Sequence, residues 1–315
     1  MFTRINNVDA RQINEWLTQA RLEGGAAGGQ VLTLVVVSNP ENAPTASADA
    51  LAAGRLHPSR VLLVIRDHSS KVPEGATGID AEIRIGDGLP GEMITLWLAG
   101  EAAYHSRSLI IPLLLPQLPV VIWWPNEFPA SMEDSQVAQV SRRRIVDTSA
   151  PRSGEPTQLA ALEKLFNTFE PDTTDLSWTR LTRWRALLVA MIDQAKCNPT
   201  AAKVAAPKDS APAELLAGWL SMMLGIKVER VNSPGDEGIQ SVTLHTENGD
   251  MILKRSIGTQ GIIMMPGQPD RPVALSRRTT EELMGEELVE MNGDTMFDSL
   301  VAFMSERSDM TEGRQ

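Results

Sequence analysis

The chain has 315 residues, which at the usual ~100–200 residues per domain suggests two domains. It carries 29 Lys+Arg against 40 Asp+Glu, and the resulting net charge of −11 disfavours binding to nucleic acid or to an anionic membrane, because both require a basic face. Hydrophobic residues make up 42% and charged residues 22%, as in folded globular proteins. The single cysteine, Cys197, excludes an intrachain disulfide and any cysteine-based zinc or iron–sulfur site.

The sequence has neither a recognisable export signal nor a membrane-spanning segment. Its first residues lead into a charged amphipathic stretch rather than an apolar core with a cleavage site. The most apolar run, residues 109–124, is shorter than the ~18–20 residues that cross a bilayer, and three prolines interrupt it. We therefore expect a cytoplasmic protein that does not bind membranes.

The first half of the chain alternates helical and extended patterns. Apolar residues at Ile13, Trp16, Leu17 and Ala20 have helical spacing, and Asp9 can cap that helix. The further elements predicted here are continuous apolar strands at 31–37, 61–65 and 120–124, a helix near 47–53, an alternating hairpin at 81–85 and 93–98, a helix over 106–115, a short strand at 144–147 and a helix starting near 159. Continuous apolar strands interleaved with helices predict an α/β mixed sheet that helices cover.

The second half begins with a strong helix from Ser177 to about Gln194, in which Arg185 projects from an apolar face and is expected to meet a carboxylate, carbonyls or solvent. A helix at 214–224 and alternating segments at 227–231, 241–245 and 251–257 predict a small, mostly antiparallel sheet. Two helices follow, the second capped by Asp294, and residues 279–315 carry ten acidic against two basic side chains, which is typical of a solvated face.

A break at residues 170–174 predicts the domain boundary. We expect residues 1–172 to form an N-terminal α/β domain with a mixed sheet and covering helices. Residues 173–315 are expected to form a smaller C-terminal α+β domain that begins with the Trp178–Trp184 helix.

No motif for catalysis, metal binding or cofactor binding stands out. Residues 86–91 match G-x-G-x-x-G, but a strand follows them where a dinucleotide site needs a helix, so a hairpin turn is the better interpretation. The four histidines are scattered without helical i, i+4 spacing, and no nucleophile elbow or Walker-type lysine occurs. We predict no catalytic residues, no metal and no cofactor.

Three features remain unusual, each with two interpretations. His57 and Arg60 precede a buried strand, either as an ordinary connection or as a ligand or partner site. Trp123 and Trp124 end a buried strand and point to opposite faces, so they are either core residues or an interface. The basic run at 142–144 either suits the end of a helix or holds an anionic metabolite or an acidic protein patch.

Taken together, several segments resemble one known family. They are LLLPQLPVVIWWP at 113–125, RRRIVDTS at 142–149, DLSWTRLTRWR at 175–185, HPSRV at 57–61, RRTTEEL at 277–283 and the strand at 31–37. This ordered set is similar to the OpcA family of glucose-6-phosphate dehydrogenase assembly proteins, and the resemblance covers roughly residues 30 to 305.

The resemblance implies a non-catalytic protein that binds glucose-6-phosphate dehydrogenase, favours its active oligomer and so supports NADPH production by the oxidative pentose phosphate pathway. A dithiol switch within the chain, which the family has in cyanobacteria, is impossible with Cys197 alone. As candidate partner-binding residues we single out a set rich in tryptophan and arginine: His57, Arg60, Trp123, Trp124, Arg143, Trp178, Arg180, Arg183 and Trp184.

A competing hypothesis is a sugar-phosphate-binding α/β enzyme, or a metabolite sensor without chemistry. It would use His57 and Arg60, or the basic run at 142–144, to hold phosphate.

Overall fold

The computed structural model describes residues 2–24, 29–85, 91–126, 137–150, 157–233, 238–256 and 259–312. The chain divides into two compact units. Unit 1 comprises Met1–Asp147, Glu170–Thr174 and Thr280–Gly293, and unit 2 comprises Thr148–Phe169, Asp175–Thr279 and Asp294–Gln315.

The helices in chain order are α1 (Ala10–Gly24), α2 (Ala43–Leu56), α3 (Ser106–Ile110), α4 (Gln158–Asn167), α5 (Leu176–Thr179), α6 (Thr182–Ala195), α7 (Ala211–Leu224), α8 (Thr280–Glu287) and α9 (Thr295–Glu312). Short 3₁₀ turns occupy Gly100–His105, Ile111–Leu113 and Ala138–Val140. Among the described residues, none of the helices is long and apolar enough to cross a membrane.

Unit 1 is built on an eight-stranded mixed sheet in the order β1-β4-β5-β3-β2-β6-β7-β8. Its strands are β1 (Phe2–Ile5), β2 (Leu32–Ser38), β3 (Ser59–Asp67), β4 (Ile79–Ile85), β5 (Glu92–Ala99), β6 (Val120–Trp124), β7 (Arg143–Val146) and β8 (Thr173–Asp175). β3 pairs in parallel with β5 and with β2, and β6 pairs in parallel with β2 and with β7. β4 pairs antiparallel with β1 and with β5. The predicted α/β class is confirmed.

The centre of this sheet is buried on both faces, as the continuous apolar strands predict. All seven residues of β2 are buried, and Leu34 pairs with Val61 on one side and Val121 on the other. The predicted hairpin forms β4 and β5, but residues 92–96 of β5 are all buried, so the expected solvated face is absent from this strand. The polar residue Thr95 contributes to the alternating pattern, although its side chain is buried.

Unit 2 contains a six-stranded sheet in the order β10-β9-β11-β12-β13-β14. The strands are β9 (Ala201–Ala206), β10 (Lys227–Asn232), β11 (Ser241–Thr246), β12 (Gly249–Arg255), β13 (Gln260–Met264) and β14 (Arg271–Ala274). All pairs are antiparallel except β9 with β10, which α7 connects. Gly225 ends α7 in the left-handed region at φ +65°, where glycine carries no steric cost. This sheet agrees with the prediction.

The two units do not coincide with the predicted domains. The chain passes from unit 1 to unit 2 between Thr174 and Asp175, close to the predicted boundary. However, α4 belongs to unit 2 and α8 belongs to unit 1. In unit 1, α8 packs against α2. A single cut in the sequence cannot represent a chain that passes between units several times.

Two predicted helices are shorter than expected. The segment from Ser177 to Gln194 divides into α5 and α6, and the segment at 106–115 is α3 followed by a 3₁₀ turn containing Pro112. Proline lacks the N–H that an α-helix needs in its interior, which explains the second case. Most of the glycine-rich segments at 24–29 and 86–91 lie outside the described residues, including residues 86–90 of the G-x-G-x-x-G match.

Candidate functional site

A cavity of about 580 Å³ lies within unit 2 and is lined by five arginines. Arg180 directly follows α5, Arg183 lies in the first turn of α6, Arg255 ends β12, and Arg277 and Arg278 lie in the segment after β14. The remaining lining residues are Ser149, Gln158, Leu181, Trp184, Pro207, Asp209, Ser210, Pro212, Gly238, Ile239, Leu275 and Ser276. We call this cavity the arginine pocket.

The interruption between α5 and α6 shapes one wall of the arginine pocket. Asp175 caps α5 by accepting a hydrogen bond from the Ser177 backbone N–H at 2.9 Å. The hydroxyl of Thr182 donates to the Thr179 carbonyl at 2.9 Å. Arg180, between α5 and α6, and Arg183, in the first turn of α6, both line the cavity, and Trp184 is buried in the same turn as Arg183.

Hydrogen bonds to two backbone carbonyls and to a serine hydroxyl hold three of the pocket arginines in place. Arg255 donates to the Leu275 carbonyl at 2.7 Å, and its guanidinium carbon lies 5.4 Å from the centroid of the Trp184 ring. Arg278 donates to the Thr179 carbonyl at 3.1 Å, and Arg183 donates to the hydroxyl of Ser276. Carbonyl and hydroxyl oxygens are acceptors that fix the orientation of a guanidinium.

One carboxylate, Asp209, belongs to the lining of the arginine pocket. Its two oxygens accept the backbone N–H groups of Gln158 and Leu159, each at 2.9 Å, at the start of α4. The amide oxygen of Gln158 in turn accepts the Ala211 N–H at 3.1 Å in the first turn of α7. Among the described residues, the lining thus combines five guanidinium groups, one carboxylate and the starts of several helices.

Other predicted site residues are buried in unit 1. Trp123 and Trp124 are each 1% exposed, so both faces of β6 are covered and the core interpretation of these indoles is the one that the structure supports. Arg60 forms an ion pair with Glu92 at 2.7 Å and donates to the Leu113 carbonyl at 2.6 Å. All three side chains are therefore buried in unit 1 of this structure.

His57 and Arg143 both hold the returning segment that contains α8. The Nε2 atom of His57 lies 3.0 Å from the Gly285 carbonyl oxygen. Arg143 is buried, forms an ion pair with Glu287, and donates to the carbonyls of Glu287 and Glu290. Two residues predicted to meet a partner therefore bind α8 to the remainder of unit 1.

The other two arginines of the basic run also have partners inside unit 1. Arg142 donates to the Asn292 side chain at 3.2 Å. Arg144 pairs with Glu170 at 3.6 Å and donates to the Pro171 carbonyl at 2.9 Å. The run at 142–144 thus makes intramolecular contacts, which favours a structural role over anion capture at this place.

Trp178 is the centre of a buried cluster in unit 2. Its indole N–H donates to Asp294 at 2.7 Å, and its ring packs against Phe297 with 5.8 Å between centroids. The guanidinium carbon of Arg185 lies 3.6 Å from the centroid of the Trp178 ring. An aromatic face was not among the partners expected for Arg185.

Sequence reasoning identified Arg180, Arg183 and Trp184 but did not assign them to a pocket, and it missed Arg255 and Asp209. Arg277 and Arg278 belong to a segment that carries the family resemblance, but no function was predicted for them. No local signal marks Arg255, because only the fold brings β12 beside the start of α6.

One carboxyl group of unit 1, that of Asp49, has a pKa shifted from its ordinary value. Burial, reinforced by the negative charges of Asp147 and Glu281, raises the pKa of Asp49 on α2. Within the described residues there is no cluster of three histidine, cysteine or carboxylate side chains that could hold a metal ion.

Two family models match the chain over most of its length. One is described as the N-terminal domain of the glucose-6-phosphate dehydrogenase subunit and matches residues 50–165, and the other is its C-terminal domain and matches residues 171–301. The chain belongs to the OpcA family. Membership confirms the predicted family, its role in glucose-6-phosphate dehydrogenase assembly and the dehydrogenase as partner. No curated protein matches the sequence.

Several solved structures are similar to this OpcA-family chain at low identity. A 3-ketoreductase from Actinomadura kijaniata in complex with NADP is 10% identical, with a TM-score of 0.47 over 86% of this chain and 94% of its own. An inositol dehydrogenase homolog from Azotobacter vinelandii is 9% identical, with a TM-score of 0.42 over 92% and 91%. An oxidoreductase from Sinorhizobium meliloti is 10% identical, with a TM-score of 0.46 over 89% and 96%.

Proposed function

We propose that this chain is a non-catalytic subunit that binds the active oligomer of glucose-6-phosphate dehydrogenase more tightly than its inactive forms. The observation that carries the proposal is the match of both family models, which together span residues 50–165 and 171–301 and are named for a subunit of that enzyme. A second observation supports a non-catalytic subunit. Arg60 and Arg143, which were candidates for holding phosphate, instead form buried ion pairs within unit 1.

Activation by such a subunit follows from differential affinity. A protein that binds two states of its partner equally cannot shift their equilibrium, whereas ~100-fold tighter binding to the active state contributes ~2.7 kcal/mol of coupling. The same coupling acts in reverse, so a ligand that favours active dehydrogenase tightens its binding to this chain.

The test is a titration of dehydrogenase from the same organism with this chain, with activity and particle mass measured on the same mixtures. Saturable activation together with a heavier species is expected. Unchanged kinetics and unchanged masses, with both proteins folded, would overturn the proposal.

The docking surface is tested by a pair of variants that separates contact from core. Among the nine candidates, His57, Arg180 and Arg183 keep part of their side chains exposed, and the first choice is Arg180. We expect Arg180→Ala to leave the unfolding temperature nearly unchanged and to weaken binding to the dehydrogenase. Trp124→Ala is the comparison, because truncating a buried tryptophan costs about 3–5 kcal/mol of stability. Parallel loss of stability and affinity in Arg180→Ala would assign that residue to the fold instead.

A further inference from the structure

Helices α6 and α7 pack against one face of the six-stranded sheet of unit 2. The Arg230 guanidinium of β10 lies 3.5 Å from the Glu214 carboxylate of α7, and the Arg255 guanidinium of β12 lies over the Trp184 ring of α6. Along β9, β11 and β12 the buried residues of this face alternate with half-buried or exposed ones. Since successive side chains of a strand point to opposite sides, these other residues belong to the second face of the sheet.

We call this second face the outer sheet face. Its central residues on four adjacent strands are Lys203, Thr243, Ile252, Lys254, Ile262 and Met264.

The centre of the outer sheet face is apolar and reaches solvent. Ile252 of β12 pairs with Met264 of β13, and Ile262 is the next outward residue of β13, so the three side chains are neighbours. All three are only half-buried. A sheet normally buries an apolar face against another layer of structure, and an apolar patch left at the surface is typical of a protein–protein interface.

Charge on the outer sheet face is nearly balanced. Its strands carry three outward lysines and two outward carboxylates. Lys203 lies 3.5 Å from Glu229, and a ring nitrogen of His245 lies 2.7 Å from the Asp250 carboxylate. The whole chain carries a net charge of −11, so its excess of negative charge lies elsewhere. Two copies of the chain therefore repel each other less through this face than through the remaining surface.

The edges of the same sheet are poorly suited to association. β14 has four residues and contains Pro272, which has no N–H to offer to a further strand. At the other edge, β10 carries Lys227, Glu229 and Arg230. Short, proline-containing or charged edge strands oppose pairing with another sheet. Association through this sheet is therefore expected to occur face to face.

We propose that the outer sheet face binds the same face of a second copy of this chain and forms a two-fold dimer. Six strands of four to seven residues cover roughly 25 Å by 20 Å, or roughly 500 Å² in projection. The accessible surface of the side chains exceeds this projection, which brings the face close to the ~800 Å² per partner of a standard interface. Such a dimer carries every dehydrogenase-binding surface twice, a consequence that rests on the proposed function.

The first experiment is sedimentation equilibrium of the full chain alone over a wide range of concentration. The average mass is expected to rise with concentration from that of one chain to that of two, because a dimer forms by mass action. The mass of one chain at every concentration would overturn the inference. The measurement contains no dehydrogenase, so its result is independent of the proposed function.

Variants then locate the contact. Ile252→Asp places a carboxylate in the apolar centre, and Thr243→Arg places a bulky cation beside it on β11. Each is expected to raise the dissociation constant of the dimer at least tenfold. Val189→Asp on α6 is the matched control, because Val189 is an apolar residue with 45% exposure that lies outside the outer sheet face. This variant should dimerise like the unaltered chain. Circular dichroism shows whether each variant is folded.

Two results would contradict this assignment of the outer sheet face. Unchanged dimerisation in folded Ile252→Asp and Thr243→Arg would place the contact elsewhere. A monomeric chain whose binding to the dehydrogenase is lost in both variants but kept in Val189→Asp would assign the face to the dehydrogenase instead of a second copy.

Discussion

The indole N–H of Trp178 donates to the carboxylate of Asp294 at 2.7 Å, and this contact joins the start of α5 to the start of α9 in unit 2. The same aspartate accepts the backbone N–H groups of Met296 and Phe297 at 2.9 and 3.1 Å, so it also caps α9 as predicted. A residue selected as a partner contact and a residue from an acidic face thus form one internal connection.

Asp294→Ala should lower the free energy of unfolding by about 2–3 kcal/mol, because it removes a helix cap and leaves a buried indole N–H without its acceptor. Urea denaturation measures the loss. In the Trp178→Phe background the same change should cost about 1 kcal/mol less, since no N–H remains to be orphaned. Equal losses in the two backgrounds would show that the hydrogen bond contributes nothing.

Arg60 and Glu92 provide a second stability prediction, in unit 1. Both side chains are 3% exposed, whereas Arg21, the other cation on Glu92, is 31% exposed. Arg60→Ala should cost about 3–5 kcal/mol, because it removes the buried cation from a buried carboxylate. Arg21→Ala is the matched control and should cost about 1 kcal/mol or less. Similar losses for both variants would contradict the assigned difference in burial.

The raised pKa of Asp49 predicts a pH dependence of stability. Between its ordinary pKa near 3.8 and its higher folded value, the folded state holds a proton that the unfolded state has lost. Stability from this group therefore falls as the pH rises through that window and stays lower above it. Asp49→Asn should be more stable than the unaltered chain at pH 7, and the difference should vanish below pH 3.8. A constant difference at all pH values would contradict this cause.

Two glycines in close contact are expected to differ in their tolerance of alanine. A Cβ at Gly91 would overlap the backbone carbonyl of Ser59, which cannot move without disturbing β3. A Cβ at Gly218 would lie 2.5 Å from the sulfur of Met304, a flexible side chain. Gly91→Ala should lose about 2–3 kcal/mol in urea denaturation and Gly218→Ala about 1 kcal/mol or less. The reverse order would contradict this difference in local rigidity.

Much of the fold could be predicted from the sequence, because long apolar strands and capped amphipathic helices have strong local patterns. β1 was not predicted, because its four residues contain no apolar run and it joins the sheet by pairing with β4. The buried face of β5 was misjudged because the polar residue Thr95 gives the segment an alternating pattern, although its side chain is buried.

The candidate site was less predictable than the fold. Its arginines lie at positions 180, 183, 255, 277 and 278, too far apart along the chain for any motif to connect them. Four tryptophans were predicted as interface residues. A large apolar ring is equally suited to a hydrophobic core, and the sequence pattern does not distinguish the two environments. Trp123, Trp124, Trp178 and Trp184 are all buried in this structure.

Preferential binding to active dehydrogenase is measured by the dissociation constant of the complex, determined with and without a saturating substrate of the dehydrogenase. We expect tighter binding with substrate, on the order of 100-fold if the coupling is ~2.7 kcal/mol. Equal dissociation constants in the two conditions, in a mixture where this chain still activates the enzyme, would contradict it.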